Sequence, residues 1–537
     1  MPVINIELND LNRMLKEPIS SDEFSEIIPQ IGSDPDEISD KEAIVEFFPD
    51  RPDLLSTEGV ARAIRAFSEQ QLGLVEYVTK KPSTHITISK EVLDIRPEFL
   101  GGIVRGVKLD DIAIKCLMEL QEKLHVTLGR RRSKVSIGIH DLDKLKPPFH
   151  YTICSPHEPT FVPLQKDYEM TSEEILKEHP KGIEYAHLLS DFDKYPLIID
   201  SEDEVISMPP IINGALTTIT EDTTDVLIDV TGLDRDAVEA CLNIVSAALV
   251  EREGEIEQLE IRYPTENIIV PKMDPKIHKI ENDYLIKLLG FDPENFAIFK
   301  AFRKCAMEPD LKDGIWHVKV PAYRADILHP VDLLEEVAIG LGYDNLSEQL
   351  PSETTFGEAL ESRKLGNSCR EIMLGIGFQE VVTLTLTSTK MLHEITEREN
   401  DNEATVSNPV TEDYHMLRSS ILPNLLELLK NNKHRELPQR VFEFGDIVIE
   451  HSNHKSLAWI ELATKSTFSN AKSTAEIIAK RLEINGEASD CNDPIFISGR
   501  SVEIKNGYCN LKYGEIHPRI LEKLELGYPA SGGEIHW

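Results

Sequence analysis

A chain of 537 residues is too long for one ordinary core and predicts about three or four folding units. Apolar residues make up 41% and charged residues 28%, a globular composition that excludes a disordered or collagen-like chain. Lys and Arg total 57 against 94 Asp and Glu, a net charge of −37, so the chain as a whole repels phosphate backbones. Nucleic acid must then be held by a local basic patch or by a partner subunit. No run of about 18 apolar residues exists, so no membrane span is predicted, and the start MPVINIELND is not read as a signal peptide. The seven cysteines are scattered without a C-x-x-C pair, which predicts reduced thiols and a cytosolic compartment.

In chain order, INIEL (4–8) reads as a strand, and LNRMLKEP begins a helix that Pro18 is expected to end. AIVEFFP (43–49) is strand-like, a turn follows at FPDRPDLLS, and a helix starts from Ser56. LVEYVTKKPSTH (74–85) looks like a linker. Residues 90–262 alternate strands (IVRGVKL, VSIGIHDL, DVLIDVTG) with helices. The clearest unit runs from Asp225–Val230 through Gly232 to a helix capped by Asp234, with Val238, Cys241, Leu242, Val245 and Leu249 on its buried face. Residues 263–350 form a smaller unit, and from about 355 strands are expected at VVTLTLTS, QRVFEFGDIVIE and GYCNLKYGEIH.

Four segments are long and ordered enough to be specific: FFPDRPDLLSTEGVARAIRAF (47–67), SIGIHDLDKL (136–145), SMPPIINGALTT (207–218) with LIDVTG (227–232), and VPAYRADILHPVDLLEEVAIGLGYDNL (320–346). Together they resemble the β subunits of phenylalanine–tRNA ligases in their shorter archaeal and eukaryotic form, over almost the whole chain. The resemblance implies an α+β multidomain fold. Its parts would be an N-terminal α/β domain (1–78), a tRNA editing domain (88–264), a small magnesium-binding domain resembling a DNA-binding fold (265–348), and a degenerate antiparallel class II synthetase core (355–537). It also implies an α2β2 complex that charges tRNA(Phe) using ATP, with ligation carried out by the α subunit.

Asp332 follows Pro330 at a helix start, Glu335 and Glu336 follow three and four residues later, and Asp326 lies six residues upstream. Four converging carboxylates repel each other unless a hard cation neutralises them, and oxygen-only ligands point to magnesium. On pattern alone a capping box, Asp332 at the N-cap and Glu335 at N3, explains the same residues. The resemblance favours metal, because the family binds magnesium at the matching positions, beside the partner subunit.

The second constellation is SMPPIING with LIDVTG. Asp229 and Thr231 alternate with Ile228 and Val230, so both face one side of a strand. The resemblance makes this an editing site that hydrolyses tyrosine wrongly attached to tRNA(Phe), with Asn213, Asp229, Ser207 and Thr231 as its polar groups. A pocket that accepts phenylalanine rejects an added hydroxyl only about 100-fold. A pocket lined with hydrogen-bonding groups discriminates the other way by about 10⁴–10⁵. No Ser-His-Asp or Cys-His arrangement is readable, so a positioned water is expected. Polar strand-end residues feeding a turn at Gly232 are the structural alternative.

The run GRRRSK (129–134) is the concentrated positive patch, and Arg130, Arg131 and Arg132 suit a clamp for the tRNA 3′ end or, equally, a solvated face. His140 and Asp141 could line the same pocket, although a structural histidine is the plainer reading. In the C-terminal unit the strand RVFEFGDIV carries Glu443 and Asp446 with no arginine inside it, and no arginine follows Arg519. An ATP site built from such carboxylates repels its substrate. Arg418 is taken as a helix or interface residue.

Overall fold

Apolar residues alternate in Val3–Glu7 (β1), and Ile4 and Ile6 turn inward as a period of two requires. In this computed structural model, which describes residues 2–346, 350, 355–399 and 404–537, the chain divides into two units, Met1–Gln349 and Leu350–Trp537. The position 348, expected to close the third domain, lies outside the described residues.

In the first unit, β1 is joined by Ser33–Ile38 (β2) and Glu42–Phe47 (β3) in the antiparallel order β1-β3-β2. The first helix covers Leu8–Met14 and stops well before Pro18. Helix Thr57–Phe67 (α1) starts where the sequence predicts, because the Ser56 hydroxyl accepts the Gly59 N–H.

A ten-stranded sheet follows. It includes Glu98–Arg105 (β4), Val135–Asp141 (β5), Val205–Met208 (β6), Asp225–Gly232 (β7) and Glu255–Arg262 (β8). At one end the order is β8-β4-β7-β5; toward the other, β6 lies next to the terminal pair Ile212–Asn213. The sheet runs past both limits of 88–264, since His85–Ile88 and Asn267–Val270 both pair with β8. Helices Asp111–Val126 (α2) and Arg235–Glu251 (α3) cover it; α3 buries Val238, Cys241, Leu242, Val245 and Leu249 and is capped by Asp234, as its spacing predicts.

The rest of the unit pairs Lys276–Glu281 (β9), Glu308–Lys312 (β10) and Ile315–Val320 (β11) in the order β9-β11-β10. Trp316 and Phe302 pack there against Leu333 and Val337 of helix Pro330–Leu341 (α4).

The second unit is built on Gln439–Ile449 (β12), Ser452–Leu462 (β13), Phe496–Lys505 (β14), Asn510–Ile516 (β15) and Ala530–His536 (β16). Their order, β12-β13-β16-β15-β14, is antiparallel throughout. Helices Leu422–Asn431 (α5) and Phe468–Arg481 (α6) pack on it. The strand expected over VVTLTLTS shrinks to Leu386–Thr387, with Val382 and Leu384 exposed. Alternation needs a ladder partner and a face to bury, and that segment lacks both over most of its length. β12 also takes in Arg440, contrary to the reading that it holds no arginine. Among the described residues no helix is long and apolar enough to cross a membrane.

Candidate functional site

Strands β5 and β7 are neighbours, and their register sets Ser136 opposite Thr231, Gly138 opposite Asp229 and His140 opposite Leu227. Paired residues project to the same face, so the polar members of both strands lie on one side while Ile137, Ile139, Ile228 and Val230 are buried in the hydrophobic core. A cavity of about 500 Å³ opens beside these strands, within the range of small-ligand sites, and Ile137 and Ile139 contribute to its lining alongside the polar residues. Ser136, Gly138 and Asp229 line it from one end of the sheet, and Ser207 and Asn213 line it from the other.

The expected editing residues therefore converge, with one exception. Ser207 is buried, and its hydroxyl has no partner among the described residues. Asn213 is half-buried on the wall, and its side-chain amide has no hydrogen-bond partner among the described residues. Asp229 is buried, with Oδ2 2.6 Å from His140 Nε2. Thr231 is the exception: it lies beneath the cavity, where its hydroxyl accepts Arg96 Nε at 2.8 Å and sits 3.2 Å from Ser136 Oγ. His140 stands behind Asp229, not on the wall, and Asp141 turns away to accept Thr223 Oγ1.

The basic run divides. Arg130 and Arg131 are exposed, whereas Arg132 is buried in the cavity wall, so the three cations are not equally free. Arg132 donates to Ile211 O at 2.8 Å and to Glu122 at 2.6 Å, and its guanidinium lies 4.6 Å from the Tyr185 ring centroid. All three arginines adopt left-handed backbone, with φ of 46°, 53° and 64°. Such a conformation costs roughly 1–2 kcal/mol per non-glycine residue, so the buried side chain must hold the turn.

Glu122 is held down at about 2 by its His125 hydrogen bond and the Arg132 charge. His125, pushed down to about 4 by burial, accepts the Ile137 N–H at Nε2 and is thereby spent on the backbone. The sequence reading missed Glu122, His125 and Arg96; none carries a local motif.

The acidic cluster is organised by a residue the sequence reading passed over. Arg324 makes paired hydrogen bonds to Asp326 (2.9 and 2.6 Å) and to Glu336 (3.1 and 2.6 Å). Helix α4 begins at Pro330 with His329 as its N-cap; Asp332 sits at N3, and its Oδ2 accepts the Leu328 and His329 N–H groups at 2.7 Å. The expectation of Asp332 as N-cap is corrected: the N-cap is His329, three residues earlier, with Pro330 in the first turn. The four carboxylates are near one another but not equivalent, because Glu336 is buried against Arg324 while Glu335 is exposed. Among the described residues no three acidic, His or Cys side chains are grouped to hold a metal. Glu335 is nonetheless pushed up by partial burial and by the charges of Glu336, Asp50, Asp332 and Asp326. That crowding and the oxygen-only donors fit a hard cation, and carboxylate oxygens facing Arg324 keep lone pairs for it.

In the second unit Arg418, expected as a helix or interface residue, lies outside any helix and is spent within the chain. It is buried, donates to Glu443 at 2.7 Å and to Asp446 O at 3.0 Å, and lies just past the short strand Met416–Leu417. Arg440 pairs with Glu461 at 3.0 Å, and Glu534 accepts from Ser456 and the Ile421 N–H. The three glutamates are thus satisfied within the sheet.

These features match the modules of a tRNA synthetase subunit. Residues 1–70 match the Phe-tRNA synthetase beta subunit B1 domain, 99–260 the B3/4 domain, 278–343 the tRNA synthetase B5 domain, and 346–537 the phenylalanyl tRNA synthetase beta chain CLM domain. The phenylalanine–tRNA ligase beta subunit of Methanosarcina acetivorans is 41% identical over 543 residues, covering 100% of this chain and 98% of that one. The Archaeoglobus fulgidus beta subunit is 40% identical, with the same coverage. A crystal structure of an N-terminal fragment of the Pyrococcus horikoshii phenylalanyl-tRNA synthetase beta-subunit is 38% identical, covers 63% of this chain and 99% of the fragment, and has a TM-score of 0.62. The chain belongs to the phenylalanine–tRNA ligase beta subunit family.

Proposed function

We propose that this chain is the non-ligating subunit of an α2β2 phenylalanine–tRNA ligase, and that its central domain hydrolyses tyrosine misattached to tRNA(Phe). One observation carries the hydrolytic reading: a single cavity gathers Ser207 and Asn213 from one end of the sheet and Asp229 from the other. Among the described residues Ser207 Oγ has no protein partner, and Asn213 brings an amide to the same wall, so a ligand bearing a phenolic hydroxyl satisfies the Ser207 hydroxyl and phenylalanine leaves it unpaired. Asp229 offers a carboxylate to a bound water; Thr231 anchors the floor through Arg96. Exposed Arg130 and Arg131 supply charge for the tRNA 3′ end.

Ligation, with its ATP, is assigned to the α subunit, since the second unit presents buried Glu443, Glu461 and Glu534 along its sheet. Magnesium is proposed at Asp326, Asp332, Glu335 and Glu336, where it would neutralise the crowded carboxylates; it takes no part in the hydrolysis. A cytosolic setting is supported by seven unpaired cysteines.

The test is deacylation of tyrosyl-tRNA(Phe) by the reconstituted complex. Asn213→Ala and Asp229→Ala should each slow it about ten- to hundredfold, with phenylalanine charging near wild type. A wild-type complex that leaves tyrosyl-tRNA intact would make the chain a positioning scaffold without hydrolase activity.

A further inference from the structure

We propose that His140 is a positioning residue for the hydrolytic site, holding the Asp229 carboxylate toward the cavity through its Nε2–H. This rests on the hydrolytic reading of that cavity and names a residue the reading does not require. His140 is fully buried, and both ring nitrogens go to side chains that line the cavity: Nε2 lies 2.6 Å from Asp229 Oδ2 and Nδ1 lies 2.8 Å from Thr217 Oγ1. A carboxylate only accepts, so Nε2 must donate; a neutral ring then leaves Nδ1 to accept the Thr217 hydroxyl. The Thr217 alternative, Gly214 O, is longer at 3.3 Å. The neighbouring buried histidine differs: His125 Nε2 accepts a backbone N–H and ties α2 to β5.

The strand leaves room for this contact. Gly138 sits across from Asp229, and a Cβ there would stand 2.0 Å from Asp229 Oδ2 and 2.5 Å from His140 Nε2. A buried polar pair adds little stability over well-packed apolar side chains, so its placement against a cavity wall points to orientation of the carboxylate. With one oxygen pinned by the ring, the remaining lone pairs of Asp229 keep a fixed direction toward a bound water or the substrate.

The test is tyrosyl-tRNA(Phe) deacylation by the full complex carrying His140→Leu, His140→Gln or Thr217→Val, with assembly checked by size and melting. Leucine should lower kcat about ten- to hundredfold with KM within about threefold, because the lost group orients rather than binds. Glutamine, whose amide N–H reaches toward Asp229, should recover most of that loss. Thr217→Val, nearly isosteric, should lower kcat severalfold, and it decides the matter if the leucine variant does not assemble. Wild-type turnover in His140→Leu, equal loss in leucine and glutamine, or an unaffected Thr217→Val complex with leucine unassembled overturns the proposal. Failure of the unsubstituted complex to deacylate overturns the hydrolytic reading itself, and this control separates the two.

Discussion

His125 and His140 are both buried beside one cavity, yet their nitrogens are committed differently, and that difference follows from what each faces. His125 accepts from the Ile137 N–H and donates toward Glu122, 3.3 Å away. Burial holds it at about 4, below its ordinary 6.5, so the unfolded chain takes up a proton in a range where the folded chain does not. Its contribution is complete above about pH 6.5 and falls as pH drops toward 4, by up to about 3 kcal/mol. Denaturation midpoints at pH 7 and pH 4.5 should therefore differ less in His125→Gln than in wild type. An identical pH slope would show that the ring protonates without unfolding. The alternation in LIDVTG made Asp229 and Thr231 readable as one polar face. It could not show that Thr231 is spent on Arg96 and Asp229 on His140, 135 and 89 residues away.

The left-handed turn at Arg130–Arg132 places two exposed cations and one buried cation on one short element. Arg130→Ala with Arg131→Ala removes exposed charge; stability should stay within about 0.5 kcal/mol while tRNA binding weakens and loses part of its salt dependence. Arg132→Ala removes donors from Ile211 O and Glu122 and should cost about 1–3 kcal/mol, with loss of deacylation. Equal effects from both substitutions would mean that the turn acts as one patch. Helix α4 separates its roles similarly. Asp332→Ala with Glu335→Ala spares the Arg324 pairs, so it should remove bound magnesium, read by metal analysis of the complex, at a stability cost near the loss of a cap, about 1 kcal/mol. Unchanged metal content would reduce the motif to helix capping. A run of like charges and a D-x-x-E spacing are visible in sequence, but which member is buried depends on Arg324, which lies within the ordered segment 320–346 without its spacing revealing the pairing.

Across the molecule, the cavity belongs to the first unit and a set of buried glutamates to the second. Glu443, Glu461 and Glu534 are buried in the second unit, paired with Arg418 or Arg440 or capped by hydroxyls and backbone. Those arginines are unavailable to a triphosphate, so this chain without its α partner should give no phenylalanine-dependent ATP–pyrophosphate exchange. Robust exchange by the purified chain would show a working ligation site. By itself the sequence determined the family, the α+β character, the capped helices α1 and α3, and the polar face of β7. Each of those depends on neighbours within a few residues or on long ordered motifs, which linear spacing records. Tertiary structure alone decided that residues 207 and 213 meet residue 229, that Arg132 is buried in the cavity wall, and that Arg324 sits among the acidic residues. Those outcomes depend on two ends of one sheet reaching a common cavity and on which charges must be paired once buried, and neither leaves a local periodicity to read.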